Sequence, residues 1–255
     1  ASGRGVERAF HCHVHDNTNT PAASVNVALG VWVCYSCGAA GKTDGTLSRE
    51  ADVTRLTRAM VTSAEQHAYT ETWLDLFDSH HPSKYWTKRV GAETAELYRC
   101  GTHPTTGLPT YPIRSANGTV LGVVCRQDGH PKYLYPAGVS VSECLFGYEY
   151  AAYAPAESLL ILVEGASDVL AFHSQMRAFA VGVYGAGFKP LQVPLIKRLR
   201  RRVLVAFDND KAGKQASTQT VETLRSEGLV AAAIDWPSGV KDAGDCSGAI
   251  LREIV

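Results

Sequence analysis

Six acidic residues carry the chemistry open to this sequence. The apolar run Leu159-Leu160-Ile161-Leu162-Val163 stops at Glu164-Gly165, with Asp168 just beyond, and Val203-Leu204-Val205-Ala206-Phe207 stops at Asp208-Asn209-Asp210. Farther on, Lys241-Asp242-Ala243-Gly244-Asp245 follows another apolar stretch. Continuous aliphatic runs that end in acids are what strands buried on both faces look like when a parallel sheet delivers polar groups at its carboxyl edge. Adjacent edges of this kind gather carboxylates in one place. Like charges a few ångströms apart repel and raise one another's pKa, so such a cluster calls for a cation. Hard oxygen ligands favour Mg²⁺ or Mn²⁺, which keep several waters and complete their shells with substrate phosphates. The expected chemistry is phosphoryl or nucleotidyl transfer. For any one of these acids taken alone, a solvated strand end is the competing reading.

A second constellation lies near the start. Cys12-x-x-His15 is followed by Cys34-Tyr35-Ser36-Cys37-Gly38, with strand patterns over 24–27 and 31–33 between the pairs. Two such pairs on strand-joined knuckles make a tetrahedral Cys₃His site for structural zinc, against a disulfide or chance spacing. His11 and His13 flank it with the wrong spacing for the fourth ligand. Seven cysteines, three of them within the first forty residues, point to metal binding in a reducing compartment. Cys100, Cys125, Cys144 and Cys246 have no ligand spacing and are expected as small buried residues.

The elements that must position these groups follow from periodicity. A weak helical pattern over 49–60 suggests a linker helix. Ser63 with Gln66 reads as a capping box, after which Tyr69, Trp73, Leu76 and Phe77 recur at helical spacing as a core stripe. Residues 82–100 read as two short helices broken at Gly91. Asn117-Gly118 between two apolar runs is a hairpin signal, and a third strand over 132–135 follows the Asp128-Gly129 turn. Arg114, Arg126 and Lys132 sit on this small sheet, either as binding groups or as ordinary solvated cations. From Leu159 the pattern alternates strand and helix, with helices over 167–176, 190–200 and 211–225 and strands over 179–184 and 230–234. That order predicts a doubly wound parallel sheet. The basic run Lys197-Arg198, Arg200-Arg201-Arg202 reads as a solvated helix end, with a phosphate contact as the competing reading. Gly41-Lys42-Thr43 resembles the end of a P-loop but lacks the preceding strand and first glycine, so 38–45 is expected as loop.

Composition is that of a soluble globular protein, with no apolar run near the ~18 residues a membrane helix needs and no leader-like start. Ala1 in place of an initiator methionine suggests a processed or excised chain. Formal net charge is zero, so only local charge bears on nucleic-acid binding.

Glu164-Gly165-x-x-Asp168, Asp208-x-Asp210 and Lys241-Asp242-Ala243 resemble the catalytic motifs of TOPRIM domains. Together with the cysteine ribbon, Pro112-Ile113-Arg114 and Pro131-Lys132-Tyr133-Leu134, they make the chain resemble bacterial and phage primases of the DnaG type. The Lys-Asp-Ala-x-Asp-Cys ending is closer to the primase half of phage primase-helicases. The resemblance implies an α/β chain of several parts: a zinc ribbon over 1–48, a linker helix over 49–62, a mixed helix and antiparallel-sheet subdomain over 63–154, and a TOPRIM domain over 155–255. It implies that Glu164, Asp208, Asp210 and Asp242 hold Mg²⁺ or Mn²⁺, with Asp168 and Asp245 as supporting acids. Cys12, His15, Cys34 and Cys37 would hold Zn²⁺. Arg114, Arg126 and Lys132 match a groove for template or nucleoside triphosphate, and Arg89 sits where the family often has Arg-Gly. The implied activity is synthesis of RNA primers on single-stranded DNA, in the cytoplasm of a bacterial cell with either the bacterium or a phage as the source, and with a replicative helicase as partner. The ribbon would choose the start site, with Trp32, Tyr35 and His13 as candidate contacts unless Trp32 is ribbon core. A TOPRIM nuclease and a non-catalytic zinc-containing single-strand-binding adaptor are the alternatives. A topoisomerase would need a tyrosine nucleophile on a further large domain.

Overall fold

The computed structural model describes residues 7–14, 23–26, 30–34, 39–43, 68–81, 83–136, 139–155, 157–185 and 187–255. Three four-stranded sheets account for the strands within them. The first is an antiparallel meander of β1 (Glu7–Phe10), β2 (Ala23–Asn26), β3 (Val31–Cys34) and β4 (Ala40–Lys42). Trp32 is buried with Cys12, Ala23 and Cys34, and the Phe10 ring meets it edge-on at 5.9 Å. So small a sheet has few groups to bury, and the indole supplies its core. The expected loop at Gly41 is instead a strand, because Val31 to Val33 offer it a pairing edge and Thr43 N–H donates to the Gly30 carbonyl at 2.8 Å. His15, Tyr35 and Cys37, the linker over 49–62, and the Ser63–Gln66 capping box lie outside the described residues.

The second sheet is antiparallel, ordered β5 (Gly101–Thr102), β6 (Pro109–Arg114), β7 (Val120–Arg126), β8 (Tyr133–Leu134). Asn117 makes the expected turn between β6 and β7: its Oδ1 accepts from Thr119 N–H at 3.3 Å and Thr119 Oγ1 at 2.9 Å, and Gly118 takes φ 84°. Two short helices, α1 (Lys84–Val90) and α2 (Ala92–Leu97), are separated at Gly91, whose φ of 80° favours glycine. Trp86 of α1 is fully buried and its indole N–H donates to the Thr110 carbonyl at 3.0 Å, fastening the helix to β6.

The stripe Tyr69, Trp73, Leu76, Phe77 does not form the expected α-helix. Tyr69 bridges Val120 of β7, and Glu71–Phe77 is a 3₁₀ helix. With about three residues per turn, positions 71, 74 and 77 share one face. Leu74 and Phe77 are accordingly buried, while Leu76 is 63% exposed. Glu71, on that same face, reaches Arg114.

The third sheet is parallel throughout, ordered β10 (Ala180–Gly182), β9 (Leu160–Val163), β11 (Val203–Val205), β12 (Ala231–Ala233). Side chains alternate across it. Ile161 and Val163 face one core with α4 (Ala166–Met176) and α7 (Gly248–Ile254), whereas Leu160, Leu162, Val203 and Val205 face another with α5 (Val193–Leu199) and α6 (Lys211–Ser226). Helices on both faces are what a doubly wound sheet requires. The antiparallel and parallel sheets share a core: Phe146 bridges Gly182, and Tyr184 Oη donates to the Pro112 carbonyl at 2.9 Å. The helix end at Lys197 to Arg202 is only partly solvated. Arg201 is buried and donates to the Ala151 carbonyl at 2.7 Å and to that of Ala154, closing the short helix α3 (Tyr148–Ala151) against β11.

Arg114 is a structural cation. It is 8% exposed, pairs with Glu71 at 2.7 Å and lies 3.2 Å from Glu149 through Nε. Burial raises the Glu149 carboxyl, and the Arg114 guanidinium offsets it. Removing one partner of such a pair leaves the other uncompensated. Arg114→Met is expected to lower stability by roughly 3 kcal/mol in urea denaturation.

Candidate active site

The acids converge at the carboxyl edge of the parallel sheet. Glu164 leaves β9, Asp208 leaves the run through β11, and Asp242 leaves the segment after β12; all three line one cleft of about 160 Å³ with Asp168 of α4. Adjacent parallel strands bring the first two together, and Asp208 N–H donates to Glu164 Oε1 at 3.2 Å. Asp242 arrives by a different device. Asn209, the variable residue of Asp-x-Asp, receives the incoming chain: its N–H donates to the Lys241 carbonyl at 2.7 Å and its side-chain amide to the Val240 carbonyl at 2.6 Å. Trp236 Nε1 donates to the Phe207 carbonyl at 2.8 Å, pinning the same segment one step earlier. Asp242 Oδ1 then accepts from Gly244 N–H at 2.8 Å, which orients the carboxylate.

Asp210 and Asp245 support the cleft without lining it. Asp210 Oδ1 accepts from Gly213 N–H at 2.8 Å and caps α6. Asp245 Oδ2 accepts from Lys241 N–H at 3.3 Å, holding the loop that carries Asp242. Gly213 is required here, since a Cβ at that position would fall 2.1 Å from the Asp208 carbonyl oxygen.

The electrostatics are those of a site short of positive charge. Burial, then the Asp208 carboxylate, raises Glu164; burial raises Asp208, with Lys241 opposing it. Asp168 is pushed from 3.8 up to about 7, first by loss of water around its carboxyl and then by Asp242, Asp208 and Glu164. The ammonium of Lys241 lies 3.4 Å from Asp208 Oδ2 and 3.7 Å from Asp242 Oδ2. Hard carboxylate oxygens with an ammonium drawn between two of them have the chemistry of a divalent-cation site, which Glu164, Asp208 and Asp242 could form, although among the described residues no three such side chains are already arranged around one point.

The expected cations divide. Lys132 and Arg89 line the cleft, with Tyr133, Tyr135 and Ser167. Arg126 stands beside it, with its guanidinium over the Tyr85 ring at 4.4 Å and its Nη1 2.9 Å from Asp128. Arg114 is corrected to the buried ion pairs described above. Sequence reasoning missed Asn209 and the cleft tyrosines, and treated Lys241 only as part of a motif. Of the four zinc ligands expected, Cys12 and Cys34 are among the described residues; both are buried in the ribbon core, and Val14 N–H donates to Cys12 Sγ at 3.4 Å. Trp32 is core of that ribbon, with the His13 ring 4.7 Å away.

Residues 161–247 match the Toprim-like family, so this sheet and its acids form a Toprim-like domain. Over about half its length the chain is a homologue of bacterial DNA primases. It is 31% identical to the DNA primase of Aquifex aeolicus over 135 residues, which are 50% of this chain and 27% of that protein. Against the DNA primase of Streptomyces coelicolor identity is 31% over 125 residues, covering 44% and 20% of the two chains. The matched stretch thus spans about a quarter or less of those relatives, 27% and 20%. In three dimensions the chain has the fold of a DnaG-type primase core. The RNA polymerase domain of Mycobacterium tuberculosis primase DnaG superposes with a TM-score of 0.57 at 21% identity, covering 82% of this chain and 83% of that one. The zinc-binding and RNA polymerase domains of the Aquifex aeolicus primase give a TM-score of 0.50 at 20% identity, over 97% and 77%.

Two outcomes follow from this geometry. Because the folded-state carboxyl of Asp168 is raised from 3.8 to about 7, the folded chain holds more protons than the unfolded one in that window, so its contribution makes stability fall as pH rises from about 4 to about 7 and then level off. In chelator, Asp168→Asn is expected to raise Tm at pH 7.5 and to flatten the difference between pH 5 and pH 7.5; an unaltered profile contradicts the site electrostatics. Gly213→Ala is expected to weaken Mn²⁺ binding at least several-fold in calorimetry by displacing the Asp208 backbone, while the far-ultraviolet spectrum stays that of the parent.

Proposed function

We propose that this chain is a primase that joins ribonucleotides on a single-stranded DNA template. The observation that carries this reading is the placement of Glu164, Asp208 and Asp242 in one cleft with Arg89 and Lys132, on a Toprim-like sheet within a primase-core fold. Extension requires a 3′-hydroxyl to attack the α-phosphorus of a nucleoside triphosphate: a P–O bond forms, the bond to pyrophosphate breaks so that pyrophosphate leaves, and the hydroxyl proton passes to water. A bound Mg²⁺ or Mn²⁺ would supply Lewis-acid activation and charge neutralisation for that displacement. The chain's own residues do the positioning. Glu164, Asp208 and Asp242 offer the ligand oxygens, Asp210 and Asp245 hold the turns that carry them, and Asp168 sets the negative field beneath. Arg89 and Lys132 face the same space from α1 and the β7–β8 turn and supply cations for triphosphate or template phosphate. Solved relatives include the Mycobacterium tuberculosis DnaG domain in complex with a double-stranded DNA oligomer bearing a 6-nucleotide overhang, with a TM-score of 0.59 at 20% identity, and a nucleic-acid partner is carried over here as part of the proposal.

The ribbon, with Cys12, His15, Cys34 and Cys37 around Zn²⁺, would select the start site, and a replicative helicase would deliver the template. Phosphate contacts by cations do not discriminate sequence, so a separate reader is needed for a defined start. Among the described residues no helix is long and apolar enough to cross a membrane.

The test is incorporation of labelled nucleoside triphosphates on a set of single-stranded templates with Mg²⁺ or Mn²⁺. The parent is expected to make short products that vanish in an Asp208→Asn, Asp210→Asn double variant. DNA cleavage without incorporation would establish a nuclease, and binding alone by both proteins would make the acids a relict.

A further inference from the structure

Lys241 stands apart from the other cations around the cleft. Arg89 and Lys132 reach it from outside the parallel sheet, whereas Lys241 is part of the loop that carries Asp242. Its own main chain is clamped: the carbonyl accepts from Asn209 N–H at 2.7 Å and the N–H donates to Asp245 Oδ2 at 3.3 Å. The side chain is nevertheless 59% exposed. A fixed backbone with a solvated stem gives an ammonium that is tethered at one position and free to swing. Its head lies 3.4 Å from Asp208 Oδ2 and 3.7 Å from Asp242 Oδ2, between two of the three oxygens best placed to hold a divalent ion.

We propose that Lys241 is a displaceable internal counter-ion, which bridges Asp208 and Asp242 when no divalent cation is held there and turns to the triphosphate when one is. The proposal rests on the metal-site reading given above. Glu164, Asp208 and Asp242 crowd one cleft, and Lys241 is the ammonium among the described residues within 4 Å of two of those carboxylates. An ammonium is a strongly hydrated point charge on a flexible stem, suited to exchanging one anionic partner for another. Once Asp208 and Asp242 are neutralised by a divalent ion, their hold on it is lost and like charges repel. The nearest anion then available is a triphosphate in the same cleft, which Lys241 also lines. The residue thus opposes metal binding while favouring nucleotide binding, and those two effects have opposite signs on substitution.

The test uses the full chain and two probes, Mn²⁺ alone by calorimetry and a nucleoside triphosphate by KM in the incorporation assay. Lys241→Met, which keeps the stem and removes the charge, is expected to bind Mn²⁺ about three- to ten-fold more tightly than the parent at low salt, the gap narrowing as salt is raised. The same variant is expected to show a several-fold higher KM for triphosphate. Lys241→Arg should stay near the parent in both. Lys197→Met removes one charge from the far end of α5, and it should leave Mn²⁺ affinity unchanged, which separates a local effect from net charge. Mn²⁺ affinity in Lys241→Met equal to or weaker than the parent's overturns the counter-ion role, and an unaltered KM overturns the transfer to triphosphate. If Asp208→Asn binds Mn²⁺ as the parent does, the metal-site reading itself falls and the proposal with it.

Discussion

The crowding of carboxylates at one edge of a parallel sheet is the constraint on which the rest of the molecule depends. Parallel strands side by side bring their carboxyl ends level, so Glu164 and Asp208 become neighbours as soon as β9 and β11 pair. Burial first, and then repulsion from the neighbouring carboxylates, raises the proton affinity of Glu164 and Asp168, most of all at Asp168, which is held at about 7. An arrangement of this kind would open unless the backbone under each acid were fixed. The structure answers with Asn209 clamping the Lys241 loop, Trp236 pinned to the Phe207 carbonyl, and Asp210 capping α6 over a glycine that admits no side chain.

The antiparallel sheet serves the same edge from the other side. Its third hairpin strand ends at Tyr133 and Leu134, which brings Lys132 and Tyr133 over the acids. The position of that sheet depends on groups far from the chemistry. Trp86 holds α1, and with it Arg89, against β6; Tyr184 Oη donates to the Pro112 carbonyl across the two sheets. Arg114 ties the 3₁₀ segment to β6 and α3 through Glu71 and Glu149. The cation of the Pro-Ile-Arg segment is thus buried in ion pairs and does not line the cleft. Substrate-facing charge and scaffold charge are alike in sequence and differ only in what lies on the other side of the side chain.

Much of the design was legible in the order of residues. Aliphatic runs ending in acids determined the parallel sheet and the edge at which Glu164, Asp208 and Asp242 emerge, because a strand buried on both faces can place polar groups only where it ends. Asn117-Gly118 determined the β6–β7 hairpin, and Gly91 the break between α1 and α2, because both depend on local backbone freedom. Tertiary structure decided the rest. Tyr69 pairs with Val120 and the following residues wind as a 3₁₀ helix, since a sheet edge from fifty residues away competes with the helical period. Arg201 is buried on backbone carbonyls, and Asn209 proves to be the clamp of the site, because hydrogen-bond partners supplied by distant segments leave no mark in the sequence nearby. The fate of each cation was settled in the same way: Arg114 met two carboxylates and became structural, while Lys241 met the cluster itself, since which anion a flexible side chain reaches is set by packing and not by spacing along the chain.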